Sequence, residues 1–400
     1  MEHLERLEVI LKTVERCNLN CSYCYFFQGE DKSYKKHPPF ISWGAIQRLV
    51  TFLAEGIQKL HIKSVQIDFH GGEPTLQRKT DFDRMCQYFR EYLGPLTELT
   101  FALQTNATLI NDEWIELFSK HRVSVGISID GPKVVNDRFR IDHKGLGTYD
   151  RTVAGLQKLQ AAVLAKKIDG IAALCVINPK NNASDLYTHI VHELKIRQLD
   201  FLLPDYTHLN FKNEDPNEYG RFLCELLHAW VADDDPLIRV RILNSALSLL
   251  TGGKTYLKGF GPTLDKIEAI TVSSNGNLSP DDSLRSGIPH LMNKYNIFST
   301  SLMEFFSMPE MKEVIQASQN SPDICKSCCW ENVCGGNALI SRYSLENGFN
   351  NPSVFCSGLK KFYSYVAKYL IENGISMDKI KETLFTSLPI VQNRCIIESK

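Results

Sequence analysis

The sequence predicts an α/β protein: an open, partial barrel of six strand–helix units, followed by a small cysteine-rich C-terminal domain. Three observations carry this. Over the first two hundred residues, short apolar runs alternate with segments of helical spacing, which is the pattern of a parallel sheet built from right-handed crossovers. Six such units fall short of the eight that close a barrel. Eight of the twelve cysteines fall in two clusters, Cys17–Cys24 and Cys325–Cys356.

In chain order, Leu7–Val14 reads as the first strand and runs into the first cysteine cluster. Trp43–Leu60 has its apolar residues (Ile46, Leu49, Val50, Leu53, Ile57, Leu60) at helical spacing. Ser64–Phe69 reads as a strand ending at His70-Gly71-Gly72-Glu73-Pro74, and Phe82–Leu93 as a helix. Leu99–Leu103 leads to Gln104-Thr105-Asn106, Glu113–Lys120 is helical, and Val123–Ile129 leads to Asp130-Gly131-Pro132. Tyr149–Leu164 (helix), Gly170–Ile177 (strand), Leu186–Leu194 (helix) and Leu199–Leu203 (strand) complete the six units. The unusual residues all fall at carboxyl ends of strands, the face where parallel α/β sheets build their sites. Beyond Pro204, Tyr219–Val231 and Leu237–Leu250 read as helices, Ile270–Val272 as a strand and Phe362–Ile371 as a helix. The expected domains are residues 1–215 (barrel), 216–255 (helical bridge), 256–370 (cysteine-rich domain) and 371–400 (helix and tail).

A net charge of −1 gives no electrostatic reason to expect nucleic acid or an anionic membrane as partner. Met1-Glu2-His3-Leu4-Glu5 lacks the apolar core of a secretory signal, and no apolar run reaches membrane-span length, so the chain reads as cytoplasmic. Cysteines in that compartment point to metal or catalysis rather than to a disulfide framework. Cys86, Cys175, Cys224 and Cys395 stand apart, and Cys175 reads as a small buried hydrophobe.

Cys17, Cys21 and Cys24 have C-x3-C-x2-C spacing. A [4Fe–4S] cube takes four ligands, so a close triplet leaves one iron open to a small molecule. The rival readings are a zinc site, which more often pairs two C-x2-C units, and scattered structural thiols. With Tyr23 inside the triplet and Gly71-Gly72-Glu73-Pro74 after a strand, residues 5–205 resemble the radical S-adenosylmethionine superfamily. The resemblance implies that S-adenosylmethionine chelates the open iron and that its reductive cleavage gives a 5′-deoxyadenosyl radical. It also implies that Gly71 and Gly72 let the backbone approach the ligand, that the Glu73 region accepts from the methionine ammonium, and that Tyr23 contacts the adenine. Asn106, Ser128, Asp130 and Arg140 match polar positions near the nucleotide; as plain turn or capping residues they need no ligand.

Cys325-x2-Cys328-x5-Cys334…Cys356 resembles the SPASM extension of radical enzymes that modify peptides and proteins, over residues 265–365. It implies one auxiliary [4Fe–4S] cluster on these four thiolates, with Cys329 a non-ligand; structural zinc is the alternative. The family's first auxiliary cluster takes a cysteine where this chain has Asp281, and another where it has Ala338. That cluster is therefore expected to be absent. Asp282 matches an aspartate that serves as general base in anaerobic sulfatase-maturing enzymes, with Asp281 as its neighbour; the resemblance implies that either takes a proton from the substrate, the alternative being a solvated turn carboxylate.

The missing cluster and the run around Cys356 lead to the expectation of a ribosomal-peptide maturase of the cyclophane-forming group, joining a side-chain β-carbon to an aromatic ring. The alternatives are a sulfatase-maturing enzyme making formylglycine from Cys or Ser, and a thioether-forming maturase. A cluster protein with a purely structural or sensing role is the non-enzymatic rival. The expected partners are a precursor peptide, with leader and core, and a flavodoxin- or ferredoxin-type electron donor.

Overall fold

Alternating burial along each strand sets the architecture of the computed structural model, which describes residues 4–255, 257, 261 and 267–385. The strands are β1 (Arg6–Val14), β2 (Ser64–Gly71), β3 (Glu98–Thr105), β4 (Val123–Ser128), β5 (Ile171–Val176), β6 (Gln198–Leu202), β7 (Arg239–Val240), β8 (Ile267–Val272), β9 (Asn277–Ser279) and β10 (Tyr295–Asn296). By contacts the chain divides into two units, residues 1–174 with 265–313 and residues 175–264 with 314–400.

In the first unit β1 to β5 pair in sequence order, all parallel. β8 joins the other side of β1, also parallel, and β9 and β10 extend it antiparallel. In-register partners include Leu11↔Phe69 and Lys12↔His70. One face carries Leu7, Val9, Leu11, Val65, Ile67, Phe69, Phe101 and Leu103, all buried. Each such side chain contributes roughly 1.5–3 kcal/mol on leaving water. Phe69 meets Phe82 of the helix Lys79–Leu93 at 4.7 Å between ring centroids, and Phe82 meets Trp114 of the helix Asp112–His121 at 5.2 Å. The opposite face is polar and half-buried: Glu8 on β1, Gln66, Asp68 and His70 on β2, Gln104 on β3, Ser128 on β4. Parallel sheets are usually covered on both faces, so this second face is the lumen of the partial barrel.

In the second unit β6 and β7 pair in parallel through Gln198↔Arg239 and Leu199↔Val240. The helix expected from Leu237 therefore begins at Arg241, because the residues before it are held as strand. The helices Pro216–Asp233 and Cys356–Glu372 pack backbone to backbone: a Cβ on Gly358 would lie 1.9 Å from the Pro216 carbonyl oxygen. Among the described residues no helix is long and apolar enough to cross a membrane. Met1–His3, Cys395 and the tail beyond Phe385 lie outside the described residues.

Candidate functional site

The cysteine loop leaves the end of β1 and is held from two sides. On one side, Gly72 N–H donates to the Val14 carbonyl (2.7 Å) and Glu73 N–H to the Arg16 carbonyl (2.9 Å). On the other, Asn20 N–H donates to the Ile141 carbonyl (2.7 Å) and Ser22 N–H to that of Phe139 (3.0 Å). His143 Nε2 lies 2.9 Å from the Cys17 carbonyl oxygen and donates to it. The glycines are needed for this packing in its own right. A Cβ on Gly71 (φ 135°) would sit 2.0 Å from the Val14 carbonyl oxygen, and one on Gly72 2.1 Å from that of Arg16.

Glu73 is fully buried, and its carboxylate is occupied by protein donors. Oε1 accepts from Thr75 N (3.0 Å), Thr75 Oγ1 (2.5 Å) and Thr105 Oγ1 (2.6 Å); Oε2 accepts from Asn106 N (2.8 Å). The side chain thus ties the end of β2 to the end of β3. Asn106 extends the tie to the cysteine loop, donating to Asn18 Oδ1 at 2.9 Å, with the Cys17 sulfur 3.9 Å away. Half-buried Tyr23 and buried Asp130 and Arg140 form one set: Tyr23 donates to Asp130 (2.5 Å) and Arg140 donates to the Tyr23 oxygen (2.9 Å). Ser128 accepts from Gln104 (2.9 Å), the first residue of the strand-end run Gln104-Thr105-Asn106.

The three thiols are close enough to feel one another. Burial, then the Glu73 charge, pushes Cys17 up to about 12, with Cys21 and Cys24 adding to the rise. Burial also raises Cys21, opposed by the Arg140 guanidinium, which favours its thiolate. Thiols so disfavoured as bare anions need a cation to hold them ionised, and iron does that outright. Among the described residues no three His, Cys, Asp or Glu side chains are set to hold a single metal ion. A cubane is a different case, because each thiolate takes its own iron.

In the second unit Cys325, Cys328, Cys334 and Cys356 line one pocket together with Trp330 and Tyr363. The turn is kept by Cys328 N–H on the Cys325 carbonyl (2.9 Å) and Cys334 N–H on that of Trp330 (2.7 Å). Burial raises Cys334 to about 12 and Cys325 to about 11, and the neighbouring thiols, Cys356 first, add to both. The Tyr363 hydroxyl, buried in this pocket, has no hydrogen-bond partner. An orphaned donor beside four thiols is what a thiolate-ligated cluster would satisfy. Cys329, expected to be a non-ligand, is not among the residues lining this pocket.

The two aspartates separate sharply. Asp281 caps the short helix Asp282–Ser286, accepting from Ser283 N (3.0 Å) and Ser283 Oγ (2.7 Å). Asp282 is buried, and its Oδ2 takes hydrogen bonds from the Lys12 ammonium and the Tyr25 hydroxyl. Its Oδ1 has no hydrogen-bond partner, and Arg285 Nη1 stands 3.9 Å from it. Burial opposes the Asp282 charge, but the Lys12 and Arg285 cations outweigh it and hold the carboxyl at about 2. Lys12 also lies 3.2 Å from both Tyr25 OH and His70 Nδ1. Burial, then the Lys12 charge, drives His70 down to about 3, so it is neutral and accepts from Lys12. Arg285 in turn is tied to Asp31 at 2.6 Å and lies over the Phe26 ring at 4.2 Å. Lys12, Tyr25 and Arg285 were missed from sequence. For Lys12 a signal exists: Glu8 and Lys12 are the two charged residues of the Leu7–Val14 run and fall on the same parity, which marks a polar lumen face.

Residues 11–188 match the Radical SAM superfamily. A cysteine-type anaerobic sulfatase-maturating enzyme of Clostridium perfringens is 26% identical over 369 residues, 89% of this chain and 94% of the relative. A serine-type one of Bacteroides thetaiotaomicron is 26% identical over 396 residues, 91% of this chain and 90% of the relative. The solved structure of native anSMEcpe with bound AdoMet and Cp18Cys peptide shares the fold at a TM-score of 0.77 and 24% identity, covering 92% of this chain and 98% of that one.

These likenesses overturn the expectation of a cyclophane-forming maturase and match the sulfatase-maturing alternative. The expectation leaned on a cluster that a few substitutions can remove and on the run around Cys356. That run has a packing explanation: Gly358, Leu359 and Phe362 are buried, with Gly358 against the helix Pro216–Asp233.

Proposed function

We propose that this chain, whose residues 11–188 match the Radical SAM superfamily and which resembles sulfatase-maturating enzymes along most of its length, acts on a peptide or protein substrate and oxidises a Cys or Ser side chain to formylglycine. Cys17, Cys21 and Cys24 hold the [4Fe–4S] cluster that binds S-adenosylmethionine, and Cys325, Cys328, Cys334 and Cys356 hold one auxiliary [4Fe–4S] cluster. When bound, these groups supply a radical that takes a hydrogen atom from the substrate carbon and an acceptor for the electron that follows.

The observation that carries the reading is Asp282, buried, ionised and with one oxygen unpartnered beside the cysteine loop. The substrate's thiol or hydroxyl must lose a proton, and Asp282 Oδ1 takes it. Lys12 and Tyr25 hold the other oxygen and aim the carboxylate. His70, neutral, keeps Lys12 in place. Asp281 is occupied in capping and is given no chemical role. Tyr23, Asp130 and Arg140 shape the nucleotide end, with Asn106 and Ser128 as further polar contacts there. The Gly71-Gly72-Glu73 segment keeps its role toward the methionine group through its backbone, since the Glu73 carboxylate is occupied by Thr75, Thr105 and Asn106.

The test is anaerobic reaction with a peptide carrying a single Cys or Ser, followed by hydrazide capture and tandem mass spectrometry. A trapped aldehyde on that residue in the native enzyme, lost in Asp282→Asn while S-adenosylmethionine is still cleaved, is the expected result. Loss of two hydrogens with no hydrazide adduct would refute it.

A further inference from the structure

We propose that the Tyr363 hydroxyl donates a hydrogen bond to the Cys334 thiolate of the auxiliary cluster and raises that cluster's reduction potential. The inference rests on the reading of Cys325, Cys328, Cys334 and Cys356 as the ligands of one cluster. Tyr363 is among the largest fully buried side chains of the protein, and its hydroxyl has no hydrogen-bond partner. Buried hydroxyls are nearly always paired, and an orphan calls for an explanation. The ring lines the same pocket as the four thiols, and Cys334 is the thiol that acts electrostatically on the hydroxyl.

The placement is built into the helix Cys356–Glu372. Residues seven apart lie on one helix face, so one helix delivers the ligand Cys356 and the hydroxyl of Tyr363 to the same site. Stacking on Trp330, at 5.9 Å and 29° between the rings, fixes the direction of the hydroxyl. A neutral thiol is a weak acceptor, whereas a ligating thiolate is a strong one. The orphan is therefore satisfied when the cluster is present. A donor to a cluster sulfur stabilises the extra negative charge of the reduced state, which moves the potential upward. In a chain proposed to keep a single auxiliary cluster, that favours uptake of the electron leaving the substrate.

The experiment is a redox titration of the full-length, anaerobically reconstituted protein, followed by electron paramagnetic resonance, for native protein and Tyr363→Phe. The expected result is an auxiliary-cluster midpoint shifted to more negative potential in the variant, with the Cys17/Cys21/Cys24 cluster unmoved. An unchanged midpoint with both clusters at full iron content overturns the assignment of the hydroxyl alone. A native protein with no second cluster signal overturns the auxiliary-cluster reading and the hydroxyl's role with it. Should the variant lose its cluster, native protein exchanged into D2O decides. An exchangeable deuteron coupled to the auxiliary cluster supports the hydrogen bond, and its absence overturns it.

Discussion

Replacing Lys12 by methionine keeps an unbranched side chain, one atom shorter, and removes its charge. Asp282 then stays buried without its nearest cation, and only Arg285 Nη1, 3.9 Å from Oδ1, remains to compensate. Breaking a buried pair by removing one partner costs roughly 3–5 kcal/mol, and the remaining arginine places this case near ~3 kcal/mol. The pH dependence follows from the depressed carboxyl. Asp282 falls from an ordinary 3.8 to about 2 in the folded protein. Its contribution is therefore present above pH ~4 and lost as pH falls toward ~2. A depression of that size corresponds to roughly 2–3 kcal/mol. In Lys12→Met that acid-side loss moves up in pH, because burial, the largest cause acting on Asp282, is then opposed chiefly by Arg285 and no longer by the stronger Lys12 charge. Urea denaturation at pH 7 and pH 3 measures the stability, and hydrazide-trapped product against pH measures the activity. The double variant Lys12→Met/Asp282→Asn should recover part of the lost stability, since it removes the uncompensated charge. Equal urea midpoints for native protein and Lys12→Met, with superimposable pH profiles, would refute the coupling.

Three further outcomes are expected. Cys24→Ala should lose the S-adenosylmethionine cluster and nucleotide cleavage while the second cluster persists; retained cleavage defeats the ligand assignment. Reconstituted protein should hold about eight irons per chain, four per cube, because Asp281 is spent on capping and Ala338 offers no ligand; a reproducible value near twelve irons shows a third cluster. Glu73→Ala should cost at least ~3 kcal/mol, since it strands buried donors on Thr75, Thr105 and Asn106, and an unchanged denaturation midpoint removes that role.

The parallel sheet was legible because its strands alternate with helices and its helix-facing residues are mostly apolar, as Leu7, Val9 and Leu11 are in β1 and Val65, Ile67 and Phe69 in β2. The cysteine sets were legible as spacings. What escaped was everything that depends on strands meeting sideways. Lys12 and Asp282 are 270 positions apart, and no local pattern joins them; only the pairing of β8 with β1 brings the segment after β8 to the end of β1. The Glu73 segment was legible as a strand-end motif, but the donors that its carboxylate takes from the neighbouring strand end, Thr105 Oγ1 and Asn106 N, are ones that no one-dimensional reading locates. The start of the helix at Arg241 was masked because Arg239 and Val240 take strand conformation only through their partners on β6. The functional expectation went astray for a different reason: two absent ligands, at Asp281 and Ala338, were weighed more heavily than the likeness of the whole chain.

The seating of Gly71 and Gly72 against the carbonyls of Val14 and Arg16 makes the cysteine loop and the glycine segment one mechanical part. Damage to either is transmitted to the other through main chain, with no side chain to absorb it. Loss of activity in a glycine variant therefore does not by itself identify a nucleotide contact, because the same change displaces the backbone that presents Cys17. The two motifs form a single unit of inheritance: a tolerated change in one must leave the hydrogen bonds from Gly72 and Glu73 intact, so substitutions on either side are filtered by the same two carbonyls.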